Sequence, residues 1–304
     1  MKIGGVDIAN VKFGNKQIAE VRVGSSLVWQ YFAPVSATGG TITEVGGWRI
    51  HMFTESGTFE VTDTGTTDGD IEYLIVAGGG GGGVSMEFSN AGGGGGGAGR
   101  FLEHQTQLST GQYSVSVGQG GDPGSSGANE NGVNGGDSLF LGQLMPGGGG
   151  GSGGNTSGNQ GGSGGGSRGT SGGSDEPGNP ESGLGNIGGS VGDSSGDNAG
   201  GGGGAGSSGS NENGGSGVTS SISGQEKDYA GGGAGGGART NSPGSSSHGG
   251  GAGANDNQDS TPGKDGTGAG GGGGNNSRQG ARGGSGVAIV RYPITKEAYD
   301  AWQS

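Results

Sequence analysis

The sequence of 304 residues contains no cysteine, which excludes a disulfide framework and thiolate metal sites. Basic residues are scarce: 14 lysines and arginines stand against 27 acidic residues. The resulting net charge of −13 disfavours nucleic-acid binding, which depends on basic side chains. No apolar run is long enough to cross a bilayer. Residues 1–5 lack the charged-then-apolar start of a secretory signal, so we expect none.

Glycine occupies 91 of the 304 positions, whereas hydrophobic residues reach 25% and aromatic residues only 5%. A collagen triple helix is excluded, because glycine does not recur at every third position and the chain has only 8 prolines. Residues 147–286 contain very few large apolar residues, too few to bury a conventional core. These are Leu184, Ile187, Val191, Val218, Ile222 and Tyr229. The high glycine content and the scarcity of apolar residues therefore indicate either a disordered chain or an ordered architecture with another kind of core.

Sequence typical of β-strands flanks this glycine-rich stretch. In the first 30 residues, short β-branched runs separated by Gly, Asn and Ser predict a β-meander. Residues 48–53 and 59–61 predict a hairpin around Ser56 and Gly57. Further strands are expected at residues 71–76, 113–117 and 287–292. The predicted fold class is mainly β plus irregular structure, with few or no α-helices.

The end of the sequence predicts one or two helical turns over residues 295–302. Thr295 is the expected N-cap, and Tyr299 and Trp302 fall on one face of the turn.

Glycine runs, called tracts below, recur with polar connectors of unequal length between them. They lie at residues 78–83, 92–97, 147–154, 161–166, 200–206, 231–237, 249–253, 270–274 and 280–286. A diluted tenth tract is expected within residues 183–192. Such runs can form extended threefold helices of polyproline II type, which rise about 3.1 Å per residue without internal hydrogen bonds.

Packed side by side, these helices would bond to each other through their backbones, because missing Cβ atoms permit close approach. The sequence thus predicts a bundle of about ten glycine-rich helices joined by loops. A flexible Gly/Ser linker is the alternative that composition favours. Strands on both sides argue against it, since a disordered loop of this length inside a domain is uncommon.

Three regions are predicted from these patterns. Residues 1–70 form an N-terminal β region, residues 71–292 the glycine-rich body with a β-patterned insert at 98–146, and residues 293–304 a tail.

Several strand-to-tract junctions resemble the glycine-rich modules of tailed-phage tail proteins. They lie at residues 71–83, 92–100, 112–118 and 283–293. The alternation of tracts with variable segments is similar to that of the long-tail-fibre tip adhesins of T-even-type phages. Residues 18–30 resemble a sequence pattern common in phage virion proteins. The resemblance implies a polyglycine II sandwich whose loops bind a bacterial surface receptor, a protein or a glycan. It also implies an N-terminal region that attaches to a trimeric fibre shaft, and a location at the fibre tip of the virion.

If the strands at 71–76 and 287–292 pair, the chain leaves the bundle at the end where it entered, which requires an even number of helices. With ten helices, the far end, opposite these strands, receives the turns at 84–91, 155–160, 193–199, 238–248 and 275–279. A further tract hidden within residues 118–136 is the main alternative to this count. The receptor-binding candidates at the far end are Met86, Glu87, Phe88, Asn155, Thr156, Arg239, His248 and Arg278.

Exposed apolar and arginine side chains mark contact sites, but Met86 and Phe88 could equally pack on a neighbouring loop. The loop 207–230, with Ile222 and Tyr229, is the second candidate surface. The fibre-attachment candidates are Trp29, Tyr31, Phe32 and Trp48.

No enzyme is expected, and neither a cofactor nor a metal, because the three histidines and the scattered acids form no catalytic pattern. Partners would be the receptor and the fibre shaft, with no nucleic acid and no membrane insertion. A purely structural glycine-rich virion or surface spacer without receptor contact is the alternative function.

Overall fold

The computed structural model describes most of the chain, apart from short gaps. The described residues are 2–3, 6–7, 12–13, 16–17, 20–23, 25–85, 91–125, 129–153, 156–169, 176–181, 185–191, 198–237 and 242–304.

The described part of the first thirty residues contains short strands, as predicted, but these six strands form three separate two-stranded antiparallel sheets instead of one continuous meander. The strands are β1 (Lys2–Ile3) with β2 (Val6–Asp7), β3 (Lys12–Phe13) with β4 (Lys16–Gln17), and β5 (Glu20–Val23) with β6 (Ser26–Gln30).

Two five-stranded antiparallel sheets form the centre of the β structure. The strands of the first sheet, in chain order, are β7 (Ser36–Thr38), β10 (Gly57–Asp63), β13 (Gly111–Ser116), β14 (Ser138–Phe140) and β15 (Gln143–Met145). Those of the second are β8 (Thr41–Val45), β9 (Trp48–Phe53), β11 (Asp70–Val76), β12 (Phe101–Gln107) and β18 (Val287–Pro293). Their spatial orders are β15-β14-β13-β10-β7 and β12-β11-β18-β9-β8. Strands from both sides of residue 70 therefore share each sheet.

The second sheet is covered on both faces. Its inner face packs against the first sheet in a core that includes Phe53, Phe59, Tyr73, Phe140 and Val290. Its outer face packs against the hairpin of β16 (Val218–Ser220) and β17 (Lys227–Tyr229), which inserts Ile222 and Tyr229. This double burial explains why β11 and β18 are almost continuously apolar.

The hairpin predicted for residues 48–61 is wrong. β9 pairs with β8 and β18 in the second sheet, whereas β10 pairs with β7 and β13 in the first. The connection at Ser56 thus crosses between the sheets. Strand alternation indicated two half-buried strands correctly, but it carries no information about which partners they choose.

The strands that flank the glycine tracts pair with each other, which is the condition on which the even number of helices was argued. β11 and β18 are antiparallel neighbours with Tyr73 opposite Val290. The predicted terminal helix is also present as α1 (Lys296–Gln303), and Thr295 accepts a hydrogen bond from the backbone N–H of Ala298 at its start. Within the described residues it is the one α-helix.

The glycine tracts are ordered segments joined by backbone hydrogen bonds. In residues 93–99, the first, fourth and seventh N–H groups donate to one neighbouring segment, 268–274, and the groups between them donate alternately to two others, 149–152 and 200–203. The carbonyl groups of residues 92–98 accept from three further segments, 80–83, 163–169 and 233–236. This central segment therefore has six neighbours and a repeat of three residues.

The glycine body, meaning residues 77–100, 117–137, 146–217 and 230–286, contains more segments than the predicted ten. Within the β-patterned insert, residues 118–125 and 129–137 join the same network: Gly121 donates to Gly79 O at 2.8 Å, and Gly135 donates to Gly148 O at 2.9 Å. The alternative of a hidden tract is thus correct, with two segments rather than one. Because these two segments run in opposite directions, they leave the direction of the following tracts unchanged.

Candidate functional site

Two of the described turns at the far end of the glycine body have the same design. Asn255 and Gln258 exchange backbone hydrogen bonds of 2.9 and 3.2 Å, and Asn275 and Arg278 exchange bonds of 2.9 and 3.3 Å. In each turn the asparagine Oδ1 accepts from the N–H two residues later, at 2.9 Å from Asn257 and at 3.0 Å from Ser277. An asparagine after a glycine-rich tract therefore reverses the chain through its own side chain.

Polar side chains tie the two turns together. The guanidinium of Arg278 forms an ion pair with Asp259 and donates to Asp256 O at 3.1 Å. The side-chain amide of Asn275 donates to Asp256 Oδ1 at 3.0 Å and to Gly237 O at 3.3 Å. The turns and the end of the tract 231–237 are thus held in one arrangement.

A groove of about 460 Å³ opens beside these turns and is lined by Asp259, Ser260, Ser277, Arg278 and Gln279. Hydroxyl, amide and ionised groups line it, and Arg278 keeps 37% of its side chain exposed. The groove can therefore offer hydrogen-bond donors and acceptors to a polar ligand.

Arg278 lies at the far end, where it was expected, although the body has more segments than the ten on which that expectation was based. Asn275 forms a bridge with Gly92, which follows the connector 84–91 along the chain. Thr156 is exposed at the same end and donates to Asn131 Oδ1 at 3.0 Å. Five other candidates lie outside the described residues: Met86, Glu87, Phe88, Asn155 and Arg239.

His248 lies at the opposite end of the body, so its placement among the far-end candidates is wrong. It packs beside Gly217 and Gly231, next to the hairpin of β16 and β17. Residues 242–247 are not a loose turn, because Gly244 donates to Gly235 O at 3.1 Å and Ser245 O accepts from Gly214 at 3.0 Å. Residues 242–247 therefore run along the body from the far end back to the sheets, and residue 248 lies at the sheet end.

The second candidate surface, loop 207–230, does not present its apolar residues. Ile222 and Tyr229 are fully buried against the outer face of the second sheet. They stabilise the sheet instead of offering a contact to another molecule.

Two of the four attachment candidates meet the terminal helix. Phe32 and Tyr299 have ring centroids 5.8 Å apart, and Trp48 meets Trp302 edge to face at 5.5 Å. Tyr31 is half-buried, and Trp29 lies in β6. The tail thus joins residues 32 and 48 in one half-buried aromatic surface, called here the aromatic surface: Phe32, Trp48, Tyr299 and Trp302.

Sequence reasoning missed a charged component beneath this surface. Arg291 stacks over the Trp48 ring at 4.4 Å and forms an ion pair with Glu72 at 2.7 Å. It also donates to Ser221 O at 3.1 Å, which joins the aromatic surface to the connection of β16 and β17. A lone arginine in an apolar strand was the available signal, because such a residue needs a partner when it is buried.

No group of three or more histidine or acidic side chains in the described part of the chain is placed to hold a metal ion. No helix in the same part is long and apolar enough to cross a membrane.

A family model described as a glycine-rich domain matches residues 54–293, which include most of both five-stranded sheets and the whole glycine body. A search of the curated proteins finds no match for the chain.

Proposed function

The chain belongs to the glycine-rich domain family, and on this premise we propose that it is a receptor-binding adhesin at the tip of a phage tail fibre. The observation that carries the proposal is the separation of the two ends of the glycine body. The sheets and the aromatic surface lie at one end, and the asparagine turns with Arg278 lie at the other.

We infer that the tracts are polyglycine II helices. A repeat of three residues and six hydrogen-bonded neighbours for residues 92–99 support this inference, because a threefold helix points successive backbone groups in three directions. The packed helices would form a rigid support, and loops held on a rigid support lose little conformational freedom on binding.

Amide exchange tests this inference about the body. If the helices are packed, amides of residues 93–99 exchange many orders of magnitude more slowly than in an unfolded chain, because opening requires disruption of six neighbours. Exchange of these amides at random-coil rates would exclude a packed body.

In this proposal the far end contacts a bacterial surface receptor, a protein or a glycan. The N-terminal region, with residues 29, 31, 32 and 48, attaches to the trimeric fibre shaft. The protein would then be located on the virion. The half-buried state of Phe32 and Trp48 supports an attachment role, since aromatic side chains that are partly exposed often anchor interfaces.

The receptor role is tested with purified, fluorescently labelled protein and cells of a susceptible bacterial strain. Replacement of residues 84–91 or 238–241 by a related adhesin's segments should abolish or redirect binding. Arg278→Ala should weaken binding about tenfold or more, because a central arginine anchor contributes strongly to interfaces. Arg282→Ala is the matched control, since Arg282 lies on the same segment, away from the turn, and keeps 49% of its side chain exposed.

A structural spacer is the second candidate function. It is favoured by the fact that Arg278, Asn275 and Asp256 are already engaged with one another. Unchanged cell binding after both segment replacements would support the spacer and overturn the adhesin, provided that the variants keep the slow amide exchange of the body.

A further inference from the structure

A second groove, of about 520 Å³, lies near the sheet end of the body, beside the hairpin of β16 and β17. It is lined by Thr219, Glu226, Lys227, Asp228, Gly249 and Lys264. Two lysines stand close together here in a chain that carries almost twice as many acidic as basic residues.

Neither lysine belongs to an ion pair among the described residues. Lys227 Nζ donates to Gly266 O at 3.1 Å and lies 5.2 Å from the centroid of the Tyr229 ring. An ammonium group has three donors, so Lys227 keeps two of them for another acceptor. Lys264 is exposed and repels Lys227 electrostatically.

The acids adjacent in sequence are directed to other partners. Asp228 Oδ1 accepts from the hydroxyl of Thr219 at 2.6 Å, and Asp265 Oδ1 accepts from the Ser285 N–H at 3.0 Å and faces Arg282 at 3.9 Å. Glu226 is the remaining carboxylate at the groove, and it is exposed. The two ammonium groups thus share a groove without direct neutralisation.

We propose that this groove binds a phosphate group, as the free ion or as a monoester, through Lys227 and Lys264. A doubly charged oxyanion neutralises both ammonium groups at once, whereas a single carboxylate neutralises one, and its several oxygens can accept bonds from both lysines. The site lies at the opposite end from the proposed receptor contact and does not depend on it.

The protonation of Lys227 and of the phosphate sets the pH dependence expected for this site. Burial lowers the pKa of Lys227, and the charge of Lys264 lowers it further. A bound anion favours the charged form and therefore raises that pKa again. Affinity should be highest above about pH 6, where the phosphate is doubly charged, and should fall as the pH rises through the lowered pKa of Lys227. Glu226 and Asp228 oppose binding over this whole range, so a moderate affinity is expected.

The experiment uses the full chain labelled with ¹³C at lysine, titrated at constant ionic strength with inorganic phosphate and, separately, with glucose 6-phosphate. Saturable shifts of the Lys227 and Lys264 Cε signals are expected. Lys264→Gln should weaken the affinity about tenfold, since one charge-assisted contact is lost. Lys296→Gln, which removes the same charge from α1, should bind as the wild type does.

Lys227→Gln should weaken binding similarly. If Lys227→Gln does not fold, the variant of the exposed Lys264 still tests the proposal. Tighter binding of glucose 6-phosphate would identify a phosphate carried on a sugar as the natural ligand, and tighter or equal binding of inorganic phosphate would identify the free ion. Non-saturable shifts, or a Lys264→Gln variant that binds like Lys296→Gln, would overturn the proposal.

Discussion

The two halves of this molecule reach the same degree of burial by opposite means. In the two packed five-stranded sheets, called here the sandwich, large side chains such as Phe59 and Ile75 fill the space between the sheets. In the glycine body, residues 92–99 are equally buried, yet their surroundings consist of backbone atoms from six other segments. Burial alone therefore does not identify a hydrophobic core, because a core can also be made of paired N–H and C=O groups.

The difference predicts that one added carbon atom disrupts the glycine body, whereas one removed carbon atom weakens the core between the sheets. A Cβ placed on Gly96 would lie closer than 3.0 Å to Gly80 O, so Gly96→Ala forces apart two hydrogen-bonded segments. We expect it to lower the free energy of unfolding by more than about 4 kcal/mol or to prevent folding. Ile75→Val removes one carbon from the sandwich core and should cost about 1 kcal/mol in urea denaturation.

Gly46→Ala is the control for the glycine side of this comparison. A Cβ at Gly46 meets nothing within 4 Å, and its φ of +57° confines the cost to the left-handed backbone conformation. That cost is roughly 1–2 kcal/mol. If Gly96→Ala costs no more than Gly46→Ala, the glycine body is not closely packed.

The ion pair of Arg291 and Glu72 tests a largely buried charge contact in the sandwich. Its side chains are only 16% and 11% exposed, so Arg291→Gln leaves a carboxylate poorly solvated and should cost about 3 kcal/mol in urea denaturation. Arg49→Gln breaks the pair with Glu44, whose side chains are 32% and 50% exposed, and should cost under about 1 kcal/mol. Equal losses would show that burial does not strengthen the inner pair.

A fall in pH should destabilise the sandwich through protonation of His51, which is fully buried. Its Nδ1 donates to Gly39 O at 2.8 Å, and its Nε2 lies 3.0 Å from the Tyr292 hydroxyl. Burial lowers the pKa of His51, and the charge of Arg49 lowers it further.

The unfolded chain therefore binds the proton more readily than the folded chain. This contribution to stability is complete above about pH 6.5 and is lost as the pH falls below it towards the folded pKa. In urea denaturation between pH 7 and the acidic limit, His51→Gln should reduce the slope of stability against pH, which is the smallest of these effects. A slope that His51→Gln leaves unchanged would contradict this role.

Sequence patterns predicted secondary structure correctly where the pattern lay within a single helix or strand. Thr295 capped the helix as predicted, and the alternation of residues 48–53 and 59–61 indicated two strands correctly. Their pairing was not predictable, because a short connection at Ser56 serves a hairpin and a crossing between sheets equally well. The aromatic surface was missed as a unit, since Trp48 and Trp302 are distant in sequence and meet only through β18 and α1.

At the far end, Arg278 was placed correctly and His248 was not, for the same physical reason. Arg278 closes a turn of four residues, in which sequence distance limits the possible positions. His248 follows residues 242–247, four serines with one proline and one glycine, which bond along the body although their composition is typical of a loop. Serine and asparagine can extend a glycine segment when their side chains face outward, and composition does not distinguish that state from a turn.

By itself the sequence determined what kind of core each region could have. Residues 147–286 contain only six large apolar residues, so most of this stretch had only backbone groups to pack, while alternating apolar residues elsewhere required strands. Which segments became neighbours was decided by the tertiary structure. Glycine tracts present nearly identical surfaces to one another, so their order in the body depends on the turns, the hydrogen-bond register and the sheets to which the chain must return.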